Sequence, residues 1–198
     1  MMQARGSTLA VFVLVALAFR LAPYALHALG IPIDPASTAY PWNFSPVLPL
    51  CVFGAACYAT GRAAFLVPLA IYLAGDLGIW LLTGRADWAF YDAQPVLYLS
   101  VALVVTCGFL LRRQRSWLRI AATGLTSAVV FFVVSNFGVW ALGDGIRYPH
   151  NAAGLVDCYV QAIPFFRNTL ISMALFLPLL FSRVTLRQPA HPQPALSQ

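Results

Sequence analysis

Two kinds of charged residue are missing from this 198-residue chain: it has no Lys and no Glu, so every base is Arg and every acid is Asp. Charge of either sign is scarce, at 9% of residues against about a quarter in soluble domains, while hydrophobic residues reach 61%. That balance excludes an ordinary soluble domain and leaves a polytopic membrane protein. No Gly-rich phosphate-binding loop is present, which removes ATP hydrolysis by that route. His27, His150 and His191 are scattered, so neither a metal nor a cofactor is expected. Cys51 and Cys57, six apart, fall on different helical faces and read as inert packing. Cys158 is expected at the outer surface without a neighbouring cysteine. Ser135 and His150 are the faint nucleophile and base candidates, and no glycine elbow supports them, so an enzyme is not expected.

What is present is a series of six apolar segments. The first, residues 8–29, follows Arg5 and also has the marks of a signal peptide in residues 9–15 and Ala16-Leu17-Ala18. Apolar sequence continues past that site, broken only by Arg20, so a retained span is expected. The Pro-rich loop 30–44 follows. The second segment, residues 46–60, is short for a span of about 20 residues and reads as a broken or partly re-entrant helix starting at Ser45-Pro46. Residues 63–83, 95–111, 119–142 and 158–180 supply the rest. The spanning domain therefore occupies residues 1–187, and the Pro- and Gln-rich tail 188–198 is expected to be disordered.

Six spans put both termini on one side. That side carries Arg5, Arg62, Arg112, Arg113, Arg115, Arg119, Arg183 and Arg187 and no acid, whereas the opposite loops hold Asp34, Asp87, Asp92, Asp144 and Asp157 with only Arg85 and Arg147. The asymmetry puts the termini in the cytoplasm and accounts for the net charge of +6 without a nucleic-acid partner. Most of Tyr40, Trp42, Trp88, Tyr91, Trp140, Tyr148 and Tyr159 are expected to form an outer aromatic belt, and a minority to lid a pocket.

Polar residues inside the spans are costly and mark structural pairs or sites. A rise of about 1.5 Å per residue places Arg20 and Asp76 at one level in the outer half. Two readings compete for them: a structural ion pair stapling the first helix to the third, or part of a binding-site wall. Arg167 lies in the outer half of the last segment, within its first three turns. With Asp76 taken by Arg20, Arg167 is expected to face an outward-opening polar cavity, the alternative being that it snorkels to the outer interface. Asn168, Asn136, Gln161, Asn43 and Ser45 fall in the same zone.

The runs Asn43-Phe44-Ser45-Pro46-Val47, Ser135-Asn136-Phe137-Gly138-Val139-Trp140 and Ala162-Ile163-Pro164-Phe165-Phe166-Arg167-Asn168-Thr169-Leu170 resemble a family of small bacterial membrane proteins of unknown function. So do Tyr148-Pro149, Gly154-Leu155 and Cys158-Tyr159. In layout the chain is similar to the substrate-binding S components of energy-coupling-factor vitamin transporters. That resemblance implies six helices, cytoplasmic termini and a pocket beneath the outer loops. Ala18 and Ala22 are similar to the small-residue motif by which those proteins meet their coupling subunit.

The reading is an all-α six-helix bundle in the bacterial inner membrane, in contact with lipid. It acts as a solute-capture subunit that depends on a separate ATPase module. Arg167 and Asn168 bind a small anionic or polar aromatic solute, Asn136 and Asn43 orient it, and Ser45 starts a helix that adds backbone donors. Gln161, Trp140 and Tyr159 complete the expected site. The alternative is a non-catalytic accessory or assembly subunit of a larger membrane complex.

Overall fold

The computed structural model describes residues 3–4, 6–31, 43–58, 60–183 and 185–187. The expectations for Arg5, for Asp34, Tyr40 and Trp42 in the first loop, and for the tail with His191 lie outside the described residues.

Among the described residues the chain is a helical bundle. Its helices are α1 (Gly6–Ala28), α2 (Val47–Cys57), α3 (Gly61–Thr83), α4 (Ala86–Ala89), α5 (Gln94–Gly108), α6 (Trp117–Leu142) and α7 (Ala152–Leu180). A two-residue antiparallel ladder pairs β1 (Gln3–Ala4) with β2 (Leu186–Arg187). Among the described residues five segments are long and apolar enough to cross a membrane: α1, α3, α4 with α5 and the following 3-10 turn, α6 and α7. Their outward faces carry Leu66, Leu81, Leu110, Leu125, Ile163 and Ile171, all exposed, which in a membrane means contact with lipid.

The second apolar segment is not a full span. α2 has 11 residues and is roughly 16 Å long, about half the bilayer core. Every residue from Val47 to Cys57 is buried, as befits a helix that is apolar on all sides and therefore sits inside the protein.

Contacts along the helices set their directions. Arg20 of α1 meets Gly75 and Asp76 of α3, and Leu21 meets Gly78, so α1 and α3 run parallel. α1 ends beside Trp88, which contacts both Tyr24 and His27. The chain must therefore recross between α1 and α3, and α2 makes the half of that crossing nearer the termini. Its last carbonyls are capped by arginines from the α5–α6 turn. Arg112 Nε donates to Ala55 O at 2.9 Å, and Arg115 donates to Ala56 O. Cations there complement the negative end of the helix dipole.

α2 packs tightly on α5. A Cβ on Gly108 would lie 2.7 Å from Val52 O and from Ala55 Cβ, so glycine is what lets the two backbones approach. α7 starts earlier than the apolar pattern indicates, because Asn151 Oδ1 accepts from Gly154 N at 2.9 Å and caps a helix beginning at Ala152. Cys158 is thus not a surface cysteine. It is buried one to two turns inside α7, with its Sγ 3.5 Å from Asn136 O.

Candidate functional site: a two-lobed cavity at the head of α2

Asp76 is 1% exposed and accepts three donors. Arg20 Nη2 bonds Oδ1, while Gln94 Nε2 at 2.6 Å and Tyr98 OH at 2.7 Å both bond Oδ2. Arg20 is further held by the Tyr72 ring, 4.7 Å from its Cζ, and by Gly75, where any Cβ would collide with the arginine side chain. Three elements therefore fix one guanidinium: α1 supplies it, α3 supplies the carboxylate, ring and glycine, and the first turns of α5 saturate the carboxylate. Arg20 spends one N–H on Asp76, and its Nε has no acceptor among the described residues. A guanidinium has five N–H donors, so donor capacity remains.

Arg20 lines a cavity of about 170 Å³. Phe19, Pro23, Tyr24, Phe44, Tyr72 and Phe131 give it aromatic and apolar walls, and Asn43, Ser45, Val47 and Leu48 bring the start of α2 into it. A second cavity of about 220 Å³ lies between α5, α6 and α7, lined by Asn136, Ser135, Thr169 and several Phe rings. Asn43 and Phe131 line both, making a shared wall between two lobes. Together the lobes sit near the lower end of the ~300–1,000 Å³ range of small-molecule pockets.

The entry into α2 is specified locally. Asn43 has φ of +64°, a left-handed conformation that asparagine tolerates better than most residues. Pro46 and Pro49 bring no N–H, so the free donors of this helix start are reduced to Val47 and Leu48. Val47 N reaches Ser45 Oγ only weakly, at 3.4 Å. The Ser172 hydroxyl donates to Ser45 O and ties the head of α2 to α7.

The expected site residues divide. Asn43, Ser45 and Asn136 are brought together around the lobes, although Asn136 Nδ2 is engaged with Phe132 O of its own helix at 2.7 Å. Arg167 does not face the cavity. It is exposed, in line with Val160, Ile163 and Ile171 on the outward side of α7, and it lines neither lobe. Asn168 is half-buried beside it and also lines neither.

The other three have local duties. Gln161 is exposed, with Nε2 3.4 Å from Asp157 Oδ1. Trp140 donates to Pro149 O at 3.0 Å and pins the α6–α7 loop. Tyr159 OH bonds Val133 O at 2.8 Å and ties α7 to α6.

Tyr24, Tyr72, Phe131, Gln94 and Tyr98 were not singled out from sequence. A signal existed: Tyr72 and Asp76, like Gln94 and Tyr98, are four apart and share a helical face. Among the described residues no group of three or more His, Cys, Asp or Glu is placed to hold a metal.

Neither the curated proteins nor the solved structures include a match to this chain. A family of unknown function, DUF6580, matches residues 2–195, and the chain belongs to that family.

Proposed function

We propose that this protein is a membrane-embedded solute-binding subunit, similar to an S component, that captures a small molecule in the two-lobed cavity at the head of α2. The observation that carries the reading is Arg20. It is locked in place by Asp76 and Tyr72, yet keeps unused donors at the wall of an aromatic cavity into which a buried half-helix begins. A fixed cation beside a helix N-terminus favours an anionic or acceptor-bearing group, and aromatic walls favour a planar body. Broken helices that start at a central cavity are a recurrent way for membrane transporters to hold anionic solutes.

In this reading Arg20 binds the acceptor group, Asn43 and Asn136 orient the solute, and Phe44 and Phe131 cover its faces. The subunit is non-catalytic and relies on a separate ATPase for transport. Arg62, Arg112, Arg113, Arg115 and Arg119 cluster at the end of the bundle that holds the termini, and Asp87, Asp92, Asp144 and Asp157 at the other. That distribution supports cytoplasmic termini in an inner membrane.

The test is thermal unfolding of the detergent-purified protein against a panel of water-soluble vitamins and small aromatic carboxylates. A ligand at 100 times its Kd stabilises the folded state by about 2.7 kcal/mol. A Tm rise in the wild type is expected, reduced in Asn136→Ala and lost in Arg20→Lys. A panel that leaves the wild type unshifted, or a hit that survives both substitutions, overturns the reading.

A further inference from the structure

Arg167 is a cation on the outward face of a membrane helix, and among the described residues it has neither an ion pair nor a hydrogen bond. It stands roughly 20 Å from the Leu180 end of α7, well inside a hydrocarbon core of about 30 Å. Side chains on a helix lean toward its N-terminus, which for α7 is the end away from the termini, so the guanidinium reaches toward the nearer headgroup layer.

Immediately deeper in the membrane, α6 and α7 enclose a groove of about 370 Å³. It runs from Leu170 past Ala174 and Leu177 to Pro178, with Trp117, Ala121 and Gly124 as the opposite wall, and its lining is almost wholly apolar. Arg167, Ala174 and Pro178 fall within about 40° of one another around α7, so the arginine stands at the head of the groove's exposed lip.

We infer that this groove and Arg167 form a site for one membrane phospholipid, with the anionic phosphate on Arg167 and an acyl chain lying along α6 and α7. The site is separate from the solute cavity and does not depend on that reading. A single cation at the top of a narrow apolar trough complements an anion that carries a chain. A second copy fits poorly, because a symmetric dimer through this face would set Arg167 against Arg167. The acid at this level among the described residues, Asp76, is buried and already bonded to Arg20.

The experiment titrates the purified full chain in detergent with palmitoyl-oleoyl-phosphatidylglycerol, read by native mass spectrometry. Glycerol phosphate serves as the head without chains and diacylglycerol as the chains without charge. The phospholipid is expected to bind the wild type while neither fragment matches it. Arg167→Gln and the groove-filling Ala174→Phe should each weaken it by about tenfold or more, with Arg167→Lys between. Affinity within about twofold of wild type in either Arg167→Gln or Ala174→Phe overturns the proposal. If Arg167→Gln does not fold, Ala174→Phe alone decides. A lipid-free dimer broken by Arg167→Gln, or a membrane protein held in place of lipid, assigns the face to a protein and also overturns it.

Discussion

Asp76 accepts three side-chain hydrogen bonds inside the bundle, and their donors come from α1 and α5. Removing the carboxylate leaves the half-buried Arg20 without its counter-charge, a change that costs up to about 3–5 kcal/mol in fully buried pairs. Removing one hydrogen bond to a charged group costs about 1.5–3 kcal/mol. Asp76→Asn should therefore destabilise clearly more than Tyr98→Phe in unfolding measured in detergent. Equal effects would mean that the ion pair adds nothing beyond a neutral hydrogen bond. The meeting of Arg20 and Asp76 was legible because depth follows from counting residues along two helices. Arg167 shows the limit of that count: the Asn151 cap moves the start of α7 back to Ala152, which sets Arg167 deeper along the helix than the apolar pattern indicates, and its rotation about α7 depends on which neighbours cover the other faces.

At the scale of elements, α2 decides the architecture of the site. A helix of 11 residues buried on every side is held by its ends and by close backbone contact. Its C-terminal carbonyls are capped by Arg112 and Arg115, and its side is admitted by Gly108. Gly108→Val would push side-chain carbon against Val52 O and Ala55. Overpacking of this kind costs typically 1–3 kcal/mol, and it should also lower Tm and weaken any ligand by shifting the head of α2. A Gly108→Val protein with wild-type Tm would show that α2 has room to slide. The short second segment, its broken character and the start at Ser45-Pro46 were all legible from length and from proline placement. Its complete burial was not, because a helix that is apolar all round gives no face by which to choose between lipid and protein.

For the whole molecule, the β1–β2 ladder brings the two ends of the chain together, with Gln3 opposite Arg187 and Ala4 opposite Leu186. Directly opposed residues in an antiparallel pair have Cα atoms about 4.5–5.5 Å apart, within the range a disulfide spans. Gln3→Cys with Arg187→Cys should cross-link under mild oxidation, giving a compact band on non-reducing gels that reductant abolishes. A chain that never cross-links would place the termini apart and undo the even number of crossings on which the orientation rests.

The sequence by itself determined that this is a helical membrane protein, where most helices begin and end, and which end of the bundle is basic. Those properties follow from composition, capping residues and a constant rise per residue, all local. Only the tertiary structure decided that Arg20 rather than Arg167 heads the cavity, that α2 is interior, and that Asn43 stands between two lobes. Each of these depends on rotation and contact between elements far apart in the chain, and the helical repeat alone carries no information about which side of a helix its neighbours will cover.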